Sequence, residues 1–339
     1  MTRCATGTTP RWSGKLPLPT RSCRSKFLAI SFLLLNVGAA FGQAGPNRAP
    51  KTAVDNERLN DNVNARHVYD TDARALLNPK FRDALDHYQP GNAPSLSAAW
   101  GEFVAADGTP FIALQLVLPP GLVLQFGDPL MFFGAVDDSA GHRIATYNET
   151  LPVQLSHDDL FIERSLVVPL RKSSGTFGVA RRGEIIAMTR VDFEPEELAP
   201  ASAGMSRLIL SRDVYILKTA QRPLDPFAFG GTKVIPKPDA SFRKTDEMWV
   251  FAELRNPSIA DDGTPHITTK TTLEGPTAIS GPPVPAIATP LKGAPGHYGL
   301  GNPIDISKLA AGDYKLRVVI TDLVAKQAYR RETALHIRD

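Results

Sequence analysis

The sequence predicts an all-β chain built as two β-sandwiches in tandem, and three observations carry that expectation. Short apolar runs separated by turn residues fill the chain after Pro94. The 29 prolines and 26 glycines fall largely between those runs, where they suit turns and break helices. An acid-rich break at Glu194-Pro195-Glu196-Glu197 then divides the runs into two series. With 339 residues, the chain has length enough for two domains of ordinary size after its first segment is removed.

Residues 1–42 read as an export signal. Six basic groups (Arg3, Arg11, Lys15, Arg21, Arg24, Lys26) and no acid precede or open the apolar run Phe27 to Leu35, and Ala40 and Gly42 suit a cleavage site near Gly42/Gln43. The apolar stretch is shorter than the roughly 20 residues a spanning helix needs, so no membrane span is expected after cleavage. Taking those six groups from 38 leaves 32 basic against 35 acidic residues, a net charge of −3. Without a concentrated positive surface, no nucleic-acid partner is expected. Both cysteines, Cys4 and Cys23, leave with the signal, so the mature chain has no thiol chemistry or disulfide. The expected location is extracytoplasmic, in the periplasm or secreted.

Residues 43–94 read as a flexible leader with a short helix. The stretch to about residue 66 is polar and aperiodic, whereas Val68 to Tyr88 carries a loose apolar stripe (Ala75, Leu76, Phe81, Ala84, Leu85) that Pro79 is expected to split. The first sandwich is assigned to residues 95–197. Its strands are expected at Glu102 to Ala105, Phe111 to Leu118, Leu130 to Val136, Arg143 to Tyr147, Phe161 to Leu170, Phe177 to Ala180 and Glu184 to Phe193, with a hairpin turn at Asp107-Gly108. The second covers 206–339, with strands at Ser206 to Ser211, Val214 to Leu217, Glu247 to Leu254, His266 to Leu273, Tyr314 to Asp322 and Ala328 to Ile337. Its Pro/Gly-rich tract at 275–303 is too long for an ordinary sandwich loop and reads as either a functional or an ornamental loop, with room for a short strand around Pro285 to Ala288.

Gly312-Asp313-Tyr314 followed by Leu316, Val318 and Ile320 resembles the tyrosine corner of immunoglobulin-like domains. There the glycine permits the sharp turn and the tyrosine hydroxyl locks it. Gly175-Thr176-Phe177 echoes this in the first series without a hydroxyl, which makes Gly312, Tyr314, Gly175 and Phe177 candidate structural residues. A wider resemblance rests on Leu208-Ile209-Leu210-Ser211, Pro226-Phe227-Ala228-Phe229-Gly230-Gly231, Pro236, Phe242, Trp249-Val250-Phe251 and that corner. Residues 95–339 resemble secreted, immunoglobulin-like β-rich regions of acidobacterial proteins that accompany von Willebrand A-related and Gly-Trp-x-Thr-Asp domains. Neither companion domain is present in this chain. The resemblance implies export and sandwich folding, and no catalytic residues.

Constellations that carry chemistry are few. Ser241-Phe242-Arg243-Lys244 has the Ser-x-x-Lys spacing of penicillin-recognising enzymes, but their companion motifs are missing. Candidate metal ligands are His157, Asp158 and Asp159 with Glu163, and separately Asp261 and Asp262, although polar loops and an Asp-Gly turn explain both groups as well. Gly296-His297-Tyr298-Gly299-Leu300-Gly301 opens no helix and reads as a surface loop, where His297 and Tyr298 are candidate ligand contacts. Phe227 and Phe229, presented among proline and glycine, and Trp100, at a strand start, are the other candidate contacts, whereas Trp249 reads as core.

No nucleophile, base and oxyanion donor can be assembled, and no cofactor is expected. The expected function is that of an exported, non-catalytic binding or structural module of the bacterial envelope, with an envelope protein or extracellular polymer as partner. The alternatives are a carbohydrate-binding module or an unrecognised extracytoplasmic hydrolase.

Overall fold

The computed structural model describes residues 77–105, 109–122, 124, 128–156, 159–195, 202–217, 224–229, 231–291 and 294–339. The segments expected to be a signal and a leader, up to residue 76, and the turn expected at Asp107-Gly108 lie outside the described residues. Those that are described are nearly all β-structure, with one helix.

That helix, α1, spans Pro79–Asp86. Pro79 starts it instead of splitting a longer one, because a first-turn residue needs no amide donor and proline already holds a helical φ. The Asn78 side chain caps the end by accepting the Lys80 N–H at 3.0 Å.

Eight strands follow: β1 (Ser97–Val104), β2 (Pro110–Val117), β3 (Pro129–Asp138), β4 (Arg143–Pro152), β5 (Gln154–Ser156), β6 (Asp159–Leu166), β7 (Ser173–Arg181) and β8 (Glu184–Phe193). They form two four-stranded antiparallel sheets ordered β1-β2-β6-β5 and β4-β3-β7-β8. Alternate residues of each face meet between them: Ile112, Leu114 and Leu116 of β2 share one core with Leu130, Phe132 and Val136 of β3. On the other side of β3, Phe133 and Ala135 receive Phe81 and Leu85 of α1, with the Phe81 and Phe133 rings stacked at 4.4 Å. Arg182 and Gly183 both take positive φ in the two-residue turn joining β7 to β8, the geometry that matches strand twist.

The second series comprises β9 (Gly204–Met205), β10 (Ile209–Ile216), β11 (Ala228–Phe229), β12 (Thr232–Pro236), β13 (Ser241–Arg243), β14 (Met248–Arg255), β15 (Ile267–Glu274), β16 (Ile279–Ser280), β17 (Val284–Pro285), β18 (Thr289–Pro290), β19 (His297–Ile304), β20 (Gly312–Asp322) and β21 (Gln327–Arg338). One sheet runs β11-β12-β10-β14-β19-β18, with β9 also on β14; the other runs β13-β21-β20-β15-β16, with β17 also on β15. Val250, Ala252 and Leu254 of β14 face Leu316, Val318 and Ile320 of β20 in the core between them. Ser241 and Phe242 belong to β13, and Lys244 instead reaches Asp339 at 2.5 Å, so the Ser-x-x-Lys spacing falls on a strand and its exit.

Two expectations are corrected here. The tract 275–303 is not a free loop, since it contributes β16, β17, β18 and most of β19. Gly296 to Gly301 is likewise largely strand. His297–Ile304 pairs with all of β14, and its glycines make room for neighbours: a Cβ on Gly301 would lie 2.5 Å from the Phe251 ring, and one on Gly299 3.1 Å from Phe229. Glycine chosen for close approach reads in a sequence like glycine chosen for a turn.

A third apolar cluster joins the two series. Phe103, Ala105, Phe111 and Ala113 from β1 and β2, with the residues that follow them, pack against Ile209, Phe227, Phe229, Val234 and Phe251. The sheets holding β2 and β14 are therefore covered on both faces, which is why β2 is buried from Phe111 to Leu116 and β14 from Val250 to Arg255.

The two corners differ. The Tyr314 hydroxyl donates to the Ala310 carbonyl at 2.9 Å and accepts the Thr277 N–H at 3.3 Å, as the corner motif predicts. Gly312 has φ +143, and a Cβ there would also meet Pro276 at 2.7 Å. Gly175 has no such backbone demand. Its missing Cβ makes room for the Phe177 ring, which would lie 2.3 Å from that atom and 2.4 Å from a Cβ on Gly134, directly across the strand pair.

Candidate functional site

Most aromatic residues expected to meet a ligand lie in or beside the junction between the two series. Phe227 is fully buried and Phe229 nearly so, both edge-on to Phe103 at 6.0 and 5.3 Å. Proline and glycine around them position a turn whose rings point inward, so the expectation of exposed contacts is wrong for both. Trp100 is half-buried on β1. The Arg207 guanidinium covers its ring at 3.6 Å and Phe193 meets it edge-on at 5.3 Å, which leaves no open platform for a sugar. Trp249 is also half-buried and sits outside the core of its own half. It stacks on Phe251 toward the junction while Met248 and Val250 take the core side.

Polar groups of the junction form a connected network. His297 Nδ1 contacts the carboxylate of Glu253, which has no exposed surface, and Arg255 Nε lies 3.4 Å from the same oxygen. Arg255 donates to the Glu102 carbonyl at 3.0 Å, and the Glu102 carboxylate accepts the Arg207 N–H at 2.7 Å. His297 is thus committed internally, correcting its assignment as a surface contact. Burial pushes the Glu102 carboxyl above its usual range despite that hydrogen bond and the neighbouring Arg207 and Arg255 charges, and burial lowers Arg207. Tyr298 packs partly buried against the core of the second half.

Of the metal candidates, His157 and Asp158 lie outside the described residues. Asp159 faces cations of this chain, 3.4 Å from Arg212 and 3.8 Å from Lys237. Asp262 accepts the Thr264 N–H and hydroxyl and lies 2.8 Å from His266 Nε2. Those contacts, led by His266, lower its carboxyl to about 2. They describe a closed turn, and among the described residues no cluster of three or more metal-ligating side chains occurs.

The exposed chemistry lies elsewhere, at the end of the second half where Ile267 and Asp322 are strand partners. Asp322, itself fully buried, accepts the N–H groups of Ser258, Val324 and Ala325 at 2.7 to 2.9 Å. The Leu323 N–H bonds the His266 carbonyl and the Ala286 N–H bonds the Ile267 carbonyl. Three connections are tied together in this way: 256–266, 323–326 and the stretch around β17. They carry the exposed side chains Ile259, Val284, Leu323 and Val324, and Ile287, which is 82% exposed. The sequence marked this region through its prolines and the Asp262-Gly263 turn; the apolar character emerges once the three segments share one end. A separate open recess of about 700 Å³ lies where α1 meets the ends of β3, β4 and β7, with Asp128 and Arg181 3.5 Å apart on its wall.

No family model matches the chain. No curated protein matches it. Among solved structures, red sea bream transglutaminase aligns with 73% of this chain at 12% identity and a TM-score of 0.19. The chain spans 32% of that protein, and an overlap of this quality carries no argument about fold or function.

Proposed function

We propose that the chain is an exported, non-catalytic binding or structural module of the bacterial envelope, made of two immunoglobulin-like β-sandwiches. Strand order supports the fold reading. Sheets β1-β2-β6-β5 and β4-β3-β7-β8 correspond to A-B-E-D against C′-C-F-G; β10-β14-β19-β18 against β16-β15-β20-β21 repeats that order. The basic, acid-free segment before the apolar run at Phe27 supports the export reading.

The observation that carries the binding reading is the end of the second half. Its three connections correspond to those between strands B and C, C′ and D, and F and G; a buried carboxylate holds the first and last, which carry Ile259, Leu323 and Val324, and a backbone bond to Ile267 holds the second, which carries Val284 and Ile287. Connections at one end of a sandwich are a common place for recognition, and clustered exposed apolar side chains favour a protein or polymer face.

Sedimentation with purified envelope fractions tests this. The full chain should co-sediment, and Ile287→Asp combined with Leu323→Asp should reduce retention by about tenfold, the loss of one or two contact residues worth 1–2 kcal/mol. Equal sedimentation of the two proteins, with unchanged thermal unfolding, would overturn the proposal.

A further inference from the structure

Lys233 on β12 and Glu163 on β6 bring an amine and a carboxylate from the two halves into direct contact. Lys233 Nζ lies 2.7 Å from Glu163 Oε2, with side chains only 13% and 3% exposed. Nζ also donates to the Pro226 carbonyl, and Asp225 Oδ1 stands 3.6 Å away. Gln154 Nε2 donates to Glu163 Oε2 at 3.4 Å, while the buried Oε1 has no hydrogen-bond partner among the described residues. Ser165, two residues along β6, bonds the Leu224 carbonyl at 2.6 Å and fixes the facing segment.

We propose that Lys233 and Glu163 condense to an amide, an isopeptide bond that ties the two halves covalently. The step balances without a co-reactant. The Nζ–Cδ bond forms and one Cδ–O bond breaks; of the three ammonium protons one stays on the amide nitrogen and two leave with the oxygen as water. Asp225 Oδ1, 3.6 Å from Nζ, is the further carboxylate paired with the amine; closing by about half an ångström would bring it within hydrogen-bond reach to relay a proton from Nζ to the departing oxygen.

Three physical features favour the step. A buried ion pair with an unpaired carboxylate oxygen is costly, and a neutral amide removes both charges. Burial raises the Glu163 carboxyl, favouring the neutral acid that an amine can attack. Holding the groups in contact supplies an effective concentration of roughly 10⁵ to 10⁸ M for well-oriented partners, which offsets the unfavourable condensation in water. Both cysteines precede residue 24, so the β-structure has no disulfide with which to make such a tie.

Peptide mapping of the full chain tests the proposal directly. After denaturation and trypsin, residues 144–164 and 219–243 should be recovered as one branched species, lighter than the two peptides together by one water. Lys233→Arg keeps the cation and should yield no branched species, and Asp225→Asn should lower the linked fraction by about 10-fold or more at early times, at or below the usual range for a lost proton relay. Recovery of the two segments only as separate peptides from the unaltered chain overturns the proposal, whatever the variants do.

Discussion

The corner before β20 and the matching start of β7 occupy equivalent places in the two halves, yet they are held by different physics. Tyr314 is fixed by a directional bond to the Ala310 carbonyl, and Gly312 supplies a backbone angle that other residues resist. Phe177 has no polar handle, and is fixed because Gly134 and Gly175 leave a ring-sized space on either side of it. One corner is specified by a hydrogen bond, the other by volume. A glycine near a strand start therefore has two distinct meanings, and its neighbours across the sheet decide between them.

Phe177→Ala should break the comparison most severely. Emptying a fully enclosed site between two glycines should cost about 3–5 kcal/mol, measured by urea unfolding, because neither glycine can fill the space. At the other corner, Tyr314→Phe keeps the ring and removes the two hydrogen bonds of the hydroxyl, so it should cost about 1–2 kcal/mol. If the two losses were equal, the division between volume and direction would be wrong.

A finer contrast concerns two aspartate turns. Asp138 is bonded by the backbone N–H of His142 at 2.9 Å, whereas Asp262 meets the ring of His266. His266→Ala should raise the Asp262 carboxyl from about 2 toward its usual value, and His142→Ala should leave the lowered Asp138 nearly in place, both followed by carboxyl NMR titration. Because the folded value of Asp262 is depressed, its contribution to stability is present above about 4 and fades as pH falls toward 2. Removing the ring should shrink that contribution and end its fading at a higher pH, while the onset, set by the unfolded carboxyl, stays where it was.

Much of the strand pattern was legible in the sequence. Period-two runs such as Leu316, Val318 and Ile320 placed β20, and Phe111 to Leu118 overlapped β2 closely. What escaped was any strand whose residues serve a partner across the sheet. His297–Ile304 is rich in glycine because Phe251 and Phe229 press against it, and in one dimension that looks like a loop. The roles of Phe227, Phe229, Trp100 and His297 were illegible for a related reason. Phe227, Phe229 and Trp100 are claimed by the opposite half through Phe103 or Arg207, and His297 by Glu253 of its own half in a network that Arg255 extends to Glu102; the order of residues does not show which faces meet. The exposed end carrying Ile259, Ile287 and Leu323 was hidden because its members are scattered over 65 positions.

The double covering of the central sheets bears on how such a chain can be inherited. A first half transplanted alone would carry Phe103, Phe111 and Ala113 bare into solvent, and the second would do the same with Phe227, Phe229 and Phe251. Recombination or duplication of one half alone would be selected against at once. The pair is in effect a single heritable unit, so substitutions on the two facing sheets should covary while the outer sheets drift independently.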